Sequence, residues 1–94
     1  VAKERIAITG MGALSPLGAG VESCWQAYLA GRSGISLLAD GWAQDLPSRV
    51  AGMIPDEPTA QLEPLLRRRL DRCSQLALLA AREAWQGAGL DAPG

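Results

Sequence analysis

The stretch from Pro64 to Ala88 reads as one long helix whose second half is apolar around most of its circumference. Pro64 suits a first helical turn, and Gly87 and Gly89 mark the end. A core row runs through Leu66, Leu70, Cys73, Ala77, Ala80 and Ala84. Arg68 and Arg72 lie opposite that row in the first half, as an amphipathic surface helix requires. In the second half Leu76, Leu78, Leu79 and Trp85 spread apolar surface, and only Gln75, Arg82 and Gln86 keep a narrow polar stripe. A helix of that kind is covered on more than one side, so the fold must supply layers around it.

The rest of the chain offers little cover. Arg5 to Thr9 reads as a short buried strand. It runs into Gly10 to Gly20, where four glycines and a proline in eleven positions make a loop. Val21, Trp25, Tyr28 and Leu29 recur at spacings of three and four, which predicts a helix from Val21 to Ala30 closed by Gly31. Trp25 is its expected buried anchor, worth about 3–5 kcal/mol against Ala. Arg32 to Pro47 has no clear period. Ser48 to Ile54 reads as a second strand, with Val50, Gly52 and Ile54 on one face and Gly52 marking a bulge or a close backbone approach. Asp56 to Glu63 reads as a loop. Two strands are marginal as an independent sheet, and the order strand, helix, strand, helix belongs to a larger α/β sheet. The chain also begins at Val1 and not at Met. The expectation is a piece of a larger protein, or a chain that needs a partner.

Composition narrows the functions. The 94 residues are about one small domain, with 48% hydrophobic and 20% charged residues, ordinary for a globular chain with a core. No apolar run is long enough for a transmembrane helix, and no signal peptide opens the chain. Nine Lys and Arg against ten Asp and Glu give a net charge of −1, with no global field to attract nucleic acid or a membrane. Histidine is absent, which rules out Ser–His and Cys–His pairs and imidazole metal sites within these residues. Two cysteines, Cys24 and Cys73, make no disulfide scaffold. Each falls in a predicted helix, where a buried thiol is the plain expectation, and a reducing cytoplasm is the expected compartment.

Gly10-x-Gly12 after a strand resembles the start of a dinucleotide fingerprint, but Ser15 stands where the third glycine belongs and the helix starts late, near Val21. A structural glycine turn is the better reading. Arg67-Arg68-Arg69-Leu70-Asp71-Arg72 carries four arginines and one aspartate, a local charge of +3. It is a solvated helix face or a docking site for an acidic partner, with Arg68, Arg69 and Arg72 on one connected arc. No aromatic residue interleaves, which disfavours nucleic acid.

Four stretches, in order, resemble the N-terminal portion of the β-ketoacyl-acyl-carrier-protein synthases, the elongating condensing enzymes of bacterial fatty-acid and polyketide synthesis. They are Ile8 to Gly18, Trp25 through Leu29-Ala30-Gly31-Arg32-Ser33-Gly34-Ile35, Leu46 to Gly52, and Arg68-Arg69-Leu70-Asp71-Arg72 with Ala80-Ala81-Arg82-Glu83-Ala84. The resemblance implies an α/β fold: the opening β-α-β-α part of a thiolase-like five-layer αβαβα architecture, incomplete within residues 1–94. It implies decarboxylative Claisen condensation of an acyl thioester with malonyl-carrier protein by the intact enzyme. The family's catalytic cysteine and two histidines lie downstream, so no catalytic residue is expected here, and these residues alone are expected to be inactive. Neither a metal nor an organic cofactor is implied, because the acyl carrier protein brings its own phosphopantetheine.

The implied partners are that carrier, the remainder of the synthase and a second subunit. The second subunit makes a homodimer, or a heterodimer if the protein is a chain-length factor, a non-catalytic relative. The other alternative is a carrier-binding module without chemistry. Arg68 and Arg69 match family positions that dock the acidic carrier. A third basic position corresponds to Leu65, with Arg67 or Arg72 as candidates to compensate.

Overall fold

Four strands, three helices and two 3₁₀ turns make up the described part, residues 3–90, of the computed structural model. Strands β1 (Leu14–Ser15) and β2 (Gly18–Ala19) form a minimal antiparallel hairpin, followed by helix α1 (Val21–Leu29). Strands β3 (Ile35–Leu37) and β4 (Val50–Gly52) form a second antiparallel pair, with Ile35 opposite Gly52. Between them lies a 3₁₀ turn at Gly41–Ala43, and another follows at Pro58–Gln61. Helices α2 (Pro64–Arg69) and α3 (Arg72–Gly87) close the series. The class is α/β, but the order differs from strand, helix, strand, helix.

Three expectations change. Arg5 to Thr9 forms no strand and is exposed, with Ile6 at 94% and Ile8 at 82%; among the described residues no strand lies beside it to complete a ladder. The strand expected over Ser48 to Ile54 shrinks to Val50–Gly52, the part that β3 can pair. The single helix from Pro64 to Ala88 is two helices. Leu70 takes an extended conformation (φ −101°, ψ 141°), and Asp71 caps a new helix, its carboxylate accepting from the Ser74 N–H at 2.8 Å. The helical spacing of Leu66, Leu70 and Cys73 runs straight across this break and hides it.

The core is small. The buried residues include Ala27, Ala43, Leu62 and Thr59, and no large side chain is fully buried among the described residues. Cys73 and Ala77 are exposed, contrary to the core row. Trp25 is 52% exposed and stacks on Tyr28 with ring centroids 5.6 Å apart, so it is not a buried anchor. The Cα radius of gyration is 17.1 Å, where a compact chain of this length has about 12 Å. Met11, Leu17, Val21, Trp25 and Tyr28 line an open, mostly apolar groove of about 770 Å³ between the glycine loop and α1.

Close backbone approach explains the glycines. A side chain on Gly12 would overlap the Ala80 carbonyl of α3, and one on Gly10 the Ala84 carbonyl and the Ala88 N–H. The Gly10-x-Gly12 pair therefore lets the N-terminal segment lie directly on the alanine face of α3. Pro16 packs against the end of the β3–β4 pair, where a Cβ on Gly34 or Gly52 would come within 2.7 or 2.8 Å of its ring. The close approach expected at Gly52 is present. Gly31 closes α1 with φ +70°, as its place in the sequence requires.

Candidate functional site

Arg67, Arg68 and Arg69 occupy the last turn of α2, where cations complement the partial negative charge of a helix end. All three are exposed. The ion pairs among the described residues are Arg72–Glu57 at 3.0 Å and Arg82–Glu63 at 3.3 Å, and neither draws on this cluster. Leu65, where a third basic residue was sought, is itself 51% exposed beside them.

Arg72 separates from the other three. It begins α3, beyond the break, so it does not continue the arc of Arg68 and Arg69 on one helix. Its guanidinium donates to both carboxylate oxygens of Glu57, at 3.1 and 3.0 Å. That pairing, together with a hydrogen bond from the Thr59 hydroxyl, lowers the Glu57 pKa below its ordinary 4.5. Arg72 is thus engaged inside the chain, and Arg67 is better placed to add charge to the pair.

Polar contacts hold α2 at both ends. Glu63 precedes its first turn and accepts from Arg82 of α3. Glu63 is also held below its ordinary pKa of 4.5, first by a backbone hydrogen bond and then by Arg82. At the other end the Gln75 amide donates to the carbonyls of Arg67 and Leu70, at 3.1 and 2.8 Å. Asp71 lies below its ordinary pKa of 3.8 because the Ser74 N–H bonds its carboxylate. The sequence reading has Asp71 only as the one acid in the arginine run and Gln75 only as part of the polar stripe, with no role at the junction. An Asp three residues before Ser74 is nevertheless an N-cap signal.

Glu83 was also missed. One carboxylate oxygen accepts from the Ala13 N–H at 2.9 Å and the other from the Val21 N–H at 3.0 Å. It supplies from α3 the cap that Gly20 has no side chain to give α1. The available signal was an acidic residue in a half-helix whose other polar positions include only Gln75, Arg82 and Gln86 of the stripe.

The cysteines are not part of the arginine surface. Cys24 donates to the Gly18 carbonyl at 3.3 Å and lies 3.1 Å from the Ser15 hydroxyl. Cys73 is exposed and free. Around Gly10 and Gly12 the neighbouring groups include helix carbonyls, which repel a phosphate. No described helix is long and apolar enough to cross a membrane.

The family described as "Beta-ketoacyl synthase, N-terminal domain" matches residues 3–93. The 3-oxoacyl-acyl-carrier-protein synthase 2 of Coxiella burnetii is 39% identical over 90 residues, 95% of this chain and 22% of the relative. The tetracenomycin polyketide synthase ketoacyl synthase alpha subunit of Streptomyces glaucescens is 38% identical over 96% of this chain and 21% of its own. A synthase 2 from Vibrio harveyi is 36% identical, over 97% and 22%. The chain thus spans about a fifth of the length of these relatives.

Proposed function

The chain belongs to the beta-ketoacyl synthase family, in its N-terminal domain, and from that premise we propose that it is the carrier-docking opening of a condensing enzyme. In this reading residues 1–94 begin the first half of a thiolase-like αβαβα fold. The rest of the enzyme covers the apolar second half of α3 and the exposed Ile6 and Ile8. The observation that carries the docking role is the exposed run Arg67-Arg68-Arg69 on α2, engaged by no ion pair of the described residues. Guanidinium groups so placed suit the carboxylates of an acidic carrier protein, and long-range attraction speeds its encounter.

The proposed reaction has two stages. A cysteine thiolate outside these residues takes the acyl group from its carrier, forming one thioester and releasing the carrier thiol. Malonyl-carrier then loses carbon dioxide. The carbanion left behind attacks the acyl carbonyl and expels the cysteine thiolate, giving a 3-oxoacyl-carrier product. Histidines and backbone amides, also outside this segment, stabilise the oxyanions. The chemistry needs no metal or resident organic cofactor, since the carrier supplies phosphopantetheine. Cytoplasmic assembly as a dimer completes the proposal.

The test is charge reversal in the intact synthase. Arg68→Glu with Arg69→Glu should raise KM for carrier-bound substrate about 2–30-fold, the reach of two exposed pairs. A small pantetheine thioester should react as before. Equal losses for both substrates would show instead that the arginines support the fold.

A further inference from the structure

We propose that Gln75 is a positioning residue for carrier binding: by tying the C-terminal end of α2 to α3, it sets the direction in which Arg67, Arg68 and Arg69 face. This rests on the docking reading above. Helix α2 has six residues, too few to hold a direction by its own hydrogen bonds. Its last carbonyls have no helical partner, and the extended Leu70 prevents α3 from continuing the ladder.

One amide group resolves this. Gln75 Nε2 donates to Arg67 and to Leu70, so both amide protons meet main-chain oxygens on either side of the arginine run's end. Gln75 itself is fixed in the first turn of α3, its N–H bonded to the Asp71 carbonyl at 3.0 Å. The other tie on α2, Arg82–Glu63, is an exposed ion pair, and such pairs are weak in water. Gln75 is half-buried, and its 2.8 Å bond to Leu70 is partly shielded from solvent, while the bond to Arg67 is exposed and depends on that anchor. Because one acceptor is the carbonyl of Arg67, any loosening acts first on the backbone of the arginine cluster.

The experiment is steady-state kinetics of the intact synthase, with acyl-carrier substrate and with a small pantetheine thioester. Gln75→Met keeps the side-chain volume and removes both donors. It should raise the carrier KM about 2–5-fold, a share of what the exposed arginines supply. Both kcat and the KM for the small thioester should hold. The rise should vanish when Arg68→Glu and Arg69→Glu are already present, because the effect runs through those side chains.

An unchanged carrier KM in Gln75→Met, beside a raised one in the double reversal, overturns the positioning role and leaves docking intact. No change in either variant overturns the docking reading and this inference together. A penalty shared by both substrates, or one that persists in the reversed background, assigns Gln75 to general stability and overturns the proposal. If Gln75→Met fails to fold, Asp71→Ala and Asp71→Asn loosen or keep the same junction at equal charge. Only Asp71→Ala should then raise the carrier KM, and a rise in both or in neither overturns the proposal.

Discussion

The N-terminal segment and helix α2 are both exposed, but they meet water differently. Ile6 and Ile8 present bare apolar surface, whereas α2 presents three arginines over a partly covered Leu66, with Leu65 half exposed beside them. The first exposure is unfavourable, at about 1.5–3 kcal/mol for a large side chain left out of a core. The second is stable in water and suited to recognition at a distance. Exposure alone therefore does not mark a functional surface; its chemistry does. The polar ties fix the surface at α2, whereas Arg5 to Thr9 is paired with no strand among the described residues.

The widest break in this comparison comes from isolating the 94 residues. They should bind a hydrophobic dye or associate, and show no turnover of acyl-carrier and malonyl-carrier substrates. A stable, dye-silent monomer by sedimentation would mean that the apolar segment needs no cover. Turnover that persists after replacing Cys24 and Cys73 with Ser would contradict the inactive-fragment reading.

A smaller effect sharpens the picture from within. Glu83→Gln in the intact protein replaces one of two acceptor oxygens with a donor, so either Ala13 or Val21 loses its partner. The loss should be about 1.5–3 kcal/mol, the range for a hydrogen bond to a charged group, read from denaturant midpoints. No change would show that the carboxylate contacts are incidental.

The smallest effect tests the ties around α2. Glu57, Glu63 and Asp71 all have lowered pKa values. Lowered carboxylates stabilise the folded state above their unfolded pKa, and the gain disappears as pH falls through the folded value. Stability should be level from neutral pH to about 6 and should begin to fall near 4.5, with Asp71 contributing from 3.8 downward. Glu57→Gln and Glu63→Gln together should flatten the upper part of that fall in pH-resolved melting. Because these groups are exposed, the change is small and fades with salt.

Local signals were the legible ones. The α1 boundaries follow from apolar spacing and from Gly31, and they match the structure to within one residue at the C-terminus. The β4 segment was visible inside the longer strand expected over Ser48 to Ile54, but β3 has three residues, too few to show a period. The Leu70 break was hidden because the leucine spacing survives it. Glu83 could not be placed from sequence, since its partners lie 62 and 70 residues away. Among the arginines, local charge picked out the cluster, while the engagement of Arg72 depends on Glu57, 15 residues earlier.

The seam between Gly10-Met11-Gly12 and α3 has a geometric limit. Two residues of extended chain advance about 6.6–6.8 Å, and four residues of helix about 6.0 Å. Gly12 over Ala80 and Gly10 over Ala84 therefore keep step, with Met11 turned outward. The mismatch grows with each further step, and α3 ends at Gly87. Gly10 already meets Ala84 and Ala88 at the end of α3, so the residues before it have no further turn to lie on. The atoms in the way are the main chain at Ala80 and Ala84 and the main chain and methyl of Ala88, so the size limit falls on positions 10 and 12 themselves. A larger residue at either glycine demands a wider gap along the whole seam, so these two positions should tolerate no side chain, whatever residue faces them on α3.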